Sequence, residues 1–244
     1  MIMAVAAIFA GCSATPKVDY VASVNPKIGS GGHGHVFVGA NAPFGMTQVG
    51  PTSITQEWDW CSGYHDSENS VIGFSHTHLS GTGCGDLFDV TLMPVTGEVT
   101  YSRGRLGDYT TGFWSEADRS QEVVEPGYYS VPLTRYNIVA EMTATERGAL
   151  HRYTFPKSDE AAIILDLVHG GCFDRPEDLF AEAVSDTRIV GRRHSWGWSN
   201  NQKVYFVIGI NKIAPDYDYL IAPEAKAIPL IHEMARQSGQ NSYV

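Results

Sequence analysis

Positive charge is scarce in this chain. Its 244 residues carry 17 Lys and Arg against 27 Asp and Glu, for a net charge of -10. Without a basic stripe it has nothing to neutralise phosphates, which excludes a nucleic-acid partner. The same shortage excludes a polybasic membrane patch. Cysteine is also rare: there are four, with no CxxC pair, so a zinc knuckle is not expected. No GxSxG elbow is present, which argues against a serine hydrolase. Gly29, Gly31, Gly32 and Gly34 lack the Lys-Ser/Thr ending of a phosphate loop and have no helix pattern after them. No apolar run approaches the roughly 20 residues of a membrane-spanning helix. There is no internal repeat and no low-complexity tract.

What the N-terminus does have is a short apolar run, MIMAVAAIFA, followed by Gly11 and Cys12. It fits the core of a secretory signal. Phe9-Ala10-Gly11-Cys12 resembles a bacterial lipobox, in which the cysteine is lipidated. The expectation is a signal over residues 1–12, lipidation at Cys12 and a small, polar tether over 13–23. This places the protein in the bacterial cell envelope, as a periplasmic or surface lipoprotein anchored to the membrane through lipid. No Lys or Arg precedes the run, and a buried first helix is the competing reading. Of the other cysteines, Cys61 and Cys84 share one loop-rich segment. They are either a disulfide or two buried small hydrophobes; Cys172 leaves the count odd.

Beyond Leu87 the pattern is one of short strands. Asp89 to Tyr101 alternates about a turn at Thr96-Gly97, and Tyr128 to Leu133 follows the Pro126-Gly127 turn. In Asn137 to Thr145, Ile138, Ala140, Met142 and Ala144 share one face. Gly148 to Phe155 and Ala161 to Val168 follow. The second is apolar on both faces and so central. Thr187 to Val190 and Lys203 to Asn211 complete the set. This spacing, with no long helical pattern between strands, predicts an all-β, antiparallel β-sandwich over residues 24–212. The tail, 213–244, reads differently. Pro223 to Gln237 sets Ile228, Ile231 and Ala235 on a helical face, which predicts a short C-terminal helix despite Pro229.

The chemistry concentrates between Gly29 and Asp89. This stretch is rich in Gly, His and aromatics and has no Lys or Arg. Glycine-shaped loops faced with aromatic and polar side chains suit a ligand surface, and an acidic balance suits a neutral polar ligand such as a sugar. Trp58-Asp59-Trp60 fits that ligand best. A flat indole packs on the C–H face of a pyranose, and a carboxylate accepts from its hydroxyls. The competing reading makes one indole a core residue, or both if the segment is extended and alternation points them the same way. His33 and His35, and His76 and His78, are spaced i, i+2. With Asp86 and Asp89 they offer a metal set, but hydrogen bonding to loop backbone is the simpler use of such imidazoles. Asp59, Asp66, Glu68, Asp86 and Asp89 are candidate carboxylates by composition, and their spacing selects no acid–base pair.

Long blocks here are similar to a known family. VNPKIGSGGHGHVFVGANAPFGMTQVGP, WDWCSGYHDSENSVIGFSHTHLSGTGCGDLFDVTLMP, EPGYYSVPL, TATERGALHRYTFP and SWGWSNNQKVYFV resemble the N-terminal domain of glycoside hydrolase family 92, the bacterial exo-α-mannosidases. The resemblance runs from about Val24 to Lys212. It implies a β-sandwich followed by a catalytic (α/α)6 barrel, which is absent from this chain. It further implies calcium engaging the mannose hydroxyls at the active site, and inversion at the anomeric carbon. The general acid and base belong to the barrel, so no catalytic residue is expected in this chain, and calcium ligands are expected mainly in the missing domain. The resemblance carries Trp58 and Trp60 over as sugar contacts at the active-site rim, beside Asp59, with His76 and His78 as weaker members. The implied partner is a mannose-containing glycan. The alternative is a free-standing carbohydrate-binding lipoprotein without catalysis.

Overall fold

The computed structural model describes residues 18–54, 57–85, 87–108, 110–171, 173–210, 219–222, 225–231 and 241–243. Cys12, Asp86, Cys172 and the signal segment lie outside these residues.

Every strand pairing among the described residues is antiparallel, as expected. Seven strands form one sheet in the order Ala40–Asn41, Gln48–Thr52, Gly73–Ser75, Thr91–Thr96, Ala161–Asp166, Ala225–Ile231, Tyr219–Ala222. Five form a second, in the order Asn241–Tyr243, Ala149–Thr154, Ile138–Ala144, Tyr128–Leu133, Val123–Glu125. Phe74 of the first sheet meets Tyr129 and Tyr153 of the second at ring separations of 6.5 and 6.2 Å, which marks the sandwich interior. Strand Ala161–Asp166 is buried at every position. Its apolar run from Ala161 to Leu165 reflects that central place. In Ile138–Ala144, Ile138, Ala140 and Met142 are buried while Val139 and Thr143 face solvent.

A third sheet joins Arg175–Ser185, Arg188–Trp196 and Gln202–Gly209. Fully buried Arg193 ties it to the sandwich. Its guanidinium donates to Asp89 at 2.7 Å, to the Leu167 carbonyl at 2.8 Å and to Asp174. A buried cation is tolerated only when paired in this way.

Two expectations are corrected. The helix predicted over Pro223–Gln237 does not form where the chain is described. Residues 225–231 are a strand instead, pairing Leu230 with Ile164 and Ile231 with Ile163. Pro229, which has no N–H to give a helix, lies within that strand; residues 232–240 lie outside the described set. Helix among the described residues is limited to three single 3-10 turns, Val21–Ser23, Trp58–Trp60 and Arg119–Gln121. The turn expected at Thr96-Gly97 is present, with Gly97 at φ +86°, but the alternation expected to run on to Tyr101 is absent. Thr91–Thr96 pairs with Ala161–Asp166, and residues 98–101 form no strand.

Candidate functional site

The glycine-rich loops meet one another: His33 and His35 reach Asp59, Trp58 reaches Gly83 and His65 reaches Gly32. Trp58, Asp59 and Trp60 do not run extended there; they make a single 3-10 turn, so the two indoles diverge. Trp58 is 59% exposed. Its ring N–H donates to the Gly83 carbonyl at 2.7 Å. The His35 ring packs against it edge-on at 4.1 Å, and His33 lies at 5.8 Å. The indole is therefore fixed while its face stays open to solvent.

Gly83 is required for this. Its φ is +65°, and a Cβ there would come within 3.0 Å of the Trp58 ring. The left-handed backbone and the close approach both favour glycine.

Asp59 is held by imidazoles. One carboxylate oxygen faces His33 Nδ1 at 2.8 Å and His35 Nε2 at 3.0 Å. The His33 hydrogen bond, more than any other cause, holds the carboxyl below the usual carboxylate range. It is therefore ionised at neutral pH. Trp60 turns the other way and stacks on His65 at 4.5 Å. His65 in turn bonds the Gly32 carbonyl at 3.2 Å and the Ser67 hydroxyl at 2.7 Å. The half-buried Trp60 thus stiffens the loop, and its ring N–H has no hydrogen-bond partner among the described residues.

Beside Trp58 opens a cavity of about 360 Å³, lined by Glu57, Trp58, Cys61, Gly83, Cys84, Gly85 and Phe173. That is the size of a small-molecule site. Phe173, 43% exposed, was not anticipated from sequence. It is ninety residues from Gly83, and the Asp174–Arg193 ion pair next to it anchors its segment. No local pattern signals such a contact. Cys61 and Cys84 line the same cavity.

The later histidine pair splits. His78 is 3% exposed. It lies at 2.8 Å from the Gln48 carbonyl through Nδ1, between the rings of Phe37 and Phe88. Burial pushes its pKa down to about 4, so it is neutral. Gly63 packs directly over its ring. His78 therefore supports the turn from beneath. His76 points into a different cavity, described below. Both make the backbone hydrogen bonds that the simpler reading gave them.

The candidate carboxylates among the described residues are already engaged. Asp66 pairs with Lys27 at 3.1 Å. Glu68 accepts from the backbone N–H groups of Asn69 and Ser70. Asp89 is fully buried between Arg193, Thr77 and Gln202. Among the described residues, no group of three or more His, Cys, Asp or Glu is arranged to hold a metal ion.

Comparison with known proteins gives this geometry a context. The sequence model of the glycosyl hydrolase family 92 N-terminal domain matches residues 23–242, running through the tail that the sequence reading set apart. The fold superposes with a TM-score of 0.83 on a family GH92 α-mannosidase of Bacteroides thetaiotaomicron, solved in complex with mannoimidazole. The two are 30% identical, over 91% of this chain and 31% of that one. A second enzyme of that organism, an inverting family GH92 mannosidase, shares the fold at 20% identity with a TM-score of 0.71, over 94% of this chain and 31% of its own. An uncharacterized secreted glycosidase of Arthroderma benhamiae is 29% identical over 148 residues, which is 58% of this chain and 18% of that protein. The chain thus spans about a third of the length of its solved relatives. With that match over nearly its whole length, it belongs to glycosyl hydrolase family 92, as the family's N-terminal domain.

Proposed function

We propose that this chain is the N-terminal domain of a calcium-dependent, inverting exo-α-mannosidase, and that its Trp58-Asp59-Trp60 turn forms part of the sugar-binding rim. The observation that carries this reading is the Trp58 indole. It is exposed, locked by the Gly83 carbonyl, and set beside an ionised Asp59 and a cavity of sugar size. An indole face offers dispersion and C–H contact to a pyranose, and the carboxylate accepts from its hydroxyls. Trp60 and His78 hold the turn in place. The 30% identity to a mannosidase supports mannose-containing glycans as the substrate class.

Calcium, when bound, supplies a hard cation for the sugar hydroxyls. Among the described residues no three or more His, Cys, Asp or Glu are arranged to hold it, so no residue here is assigned as its ligand. Catalytic carboxylates are likewise not assigned to this chain. Export with lipidation at Cys12 belongs to the same proposal and rests on the apolar run of the first ten residues and the lipobox resemblance.

The test is to follow the five indole N–H signals of the chain by NMR during addition of an α-linked mannobiose, with calcium present. Trp58 should shift and no mannose should be released. A silent Trp58 would remove the sugar-contact assignment. Release of mannose at an ordinary enzyme rate would mean that the catalytic carboxylates lie within these residues.

A further inference from the structure

Away from the Trp58 site, two histidines from opposite sheets face each other. His76 follows strand Gly73–Ser75, and His151 lies in strand Ala149–Thr154 of the second sheet. Their Nε2 atoms are 3.0 Å apart. The outer nitrogen of each ring is also engaged. His76 Nδ1 meets the Val90 carbonyl, which only accepts, so Nδ1 carries the proton. His151 Nδ1 lies 2.8 Å from the Tyr153 hydroxyl. Both rings line a cavity of about 350 Å³ that also takes in Met46, Thr77, Arg147 and Tyr205.

We propose that His76 and His151 form a binding site for a borderline transition-metal dication, Zn²⁺ or Cu²⁺, held through the two Nε2 atoms with its other coordination positions open to the cavity. Two imidazoles at ordinary zinc–nitrogen distances in a tetrahedral site stand about 3.3 Å apart. The rings need to separate by only about 0.3 Å from their present spacing to admit the ion. Ligating histidines normally have the outer nitrogen tied to a carbonyl or other polar group. Val90 and Tyr153 already play that part. The proton balance is simple. His76 Nε2 already presents its lone pair. His151 moves its proton from Nε2 to Nδ1, where the N–H donates a hydrogen bond to the Tyr153 oxygen, so neither ring loses a proton overall. The Met46 thioether lines the same cavity and is a soft donor suited to copper. Arg147 lines it too and opposes the dication unless an anion takes an open position. His33 and His35 are poorer candidates, because both are turned onto Asp59.

The experiment uses the whole chain, stripped with chelator and titrated with zinc chloride by calorimetry. One equivalent should bind. His151→Gln, which keeps the ring's size and polarity approximately, should weaken binding about tenfold or more, while His33→Ala leaves it unchanged. Zinc binding of equal strength in His151→Gln, or no binding to the native chain, would overturn the proposal. Should His151→Gln fail to fold, crystals of the native chain grown with zinc decide the matter by anomalous scattering at the zinc edge. A peak bonded to both Nε2 atoms is expected. Its absence leaves the pair as a hydrogen bond and nothing more.

Discussion

Trp58 and Trp60 stand two residues apart and meet different surroundings, because a 3-10 turn replaces the extended segment that would have aimed them together. That turn depends on single residues around it. Gly83→Ala forces an L-residue to φ +65° and drives its methyl to 3.0 Å from the indole. The expected cost is about 1–3 kcal/mol, with a change in Trp58 emission; urea denaturation read by fluorescence measures both. His78 makes a prediction about pH. Its folded pKa of about 4 lies below the ordinary 6.5, so the unfolded chain binds the proton first. Stability is then complete above pH 6.5 and falls as pH drops from 6.5 towards 4, by up to about 3 kcal/mol from this residue. His76 and His151 are also lowered by burial and add in the same direction. Thermal unfolding between pH 7 and pH 4.5 should show a falling midpoint, and His78→Asn should flatten the slope. An unchanged slope in that variant would assign the acid sensitivity elsewhere.

At the level of elements, the strands with clean alternation were legible in sequence. Ile138–Ala144 and the doubly buried Ala161–Asp166 carry their position in their own residues. The longest strand, Arg175–Ser185, was not. Irregular pairing at Pro176/Asp178 and Ala183/Ser185 breaks its alternation, and its sequence is acid-rich. The tail misled for a related reason: Ile228, Ile231 and Ala235 fit a helical period, yet strand pairing with Ala161–Asp166 prevailed over 225–231. At the site, the Trp58 turn was legible as an aromatic–acid cluster. Phe173 and Arg193 were not, since only tertiary folding brings them in. Arg193 is the pin between the third sheet and the sandwich. Arg193→Ala leaves Asp89 and Asp174 without their shared cation, and should cost about 3–5 kcal/mol. Denaturant unfolding should show that loss. A variant as stable as the native chain would mean that the third sheet is held by its apolar contacts instead.

For the whole molecule, the export proposal bears on location. Cys12→Ala should release the protein from the membrane fraction or block its processing, and unchanged fractionation would dismiss the lipid anchor. The chain's place in family 92 bears on its chemistry, and there the exposed indole is the feature on which the reading turns. The most direct measurement is kcat/KM for an α-mannoside in a catalytically competent polypeptide carrying this domain, with Trp58 replaced by Ala. Because Trp58 is 59% exposed, its loss should leave the unfolding temperature nearly unchanged. The account predicts a fall in kcat/KM of about 5- to 150-fold, which corresponds to about 1–3 kcal/mol of lost contact with the sugar. Unaltered kcat/KM in a fully folded Trp58→Ala variant would contradict it.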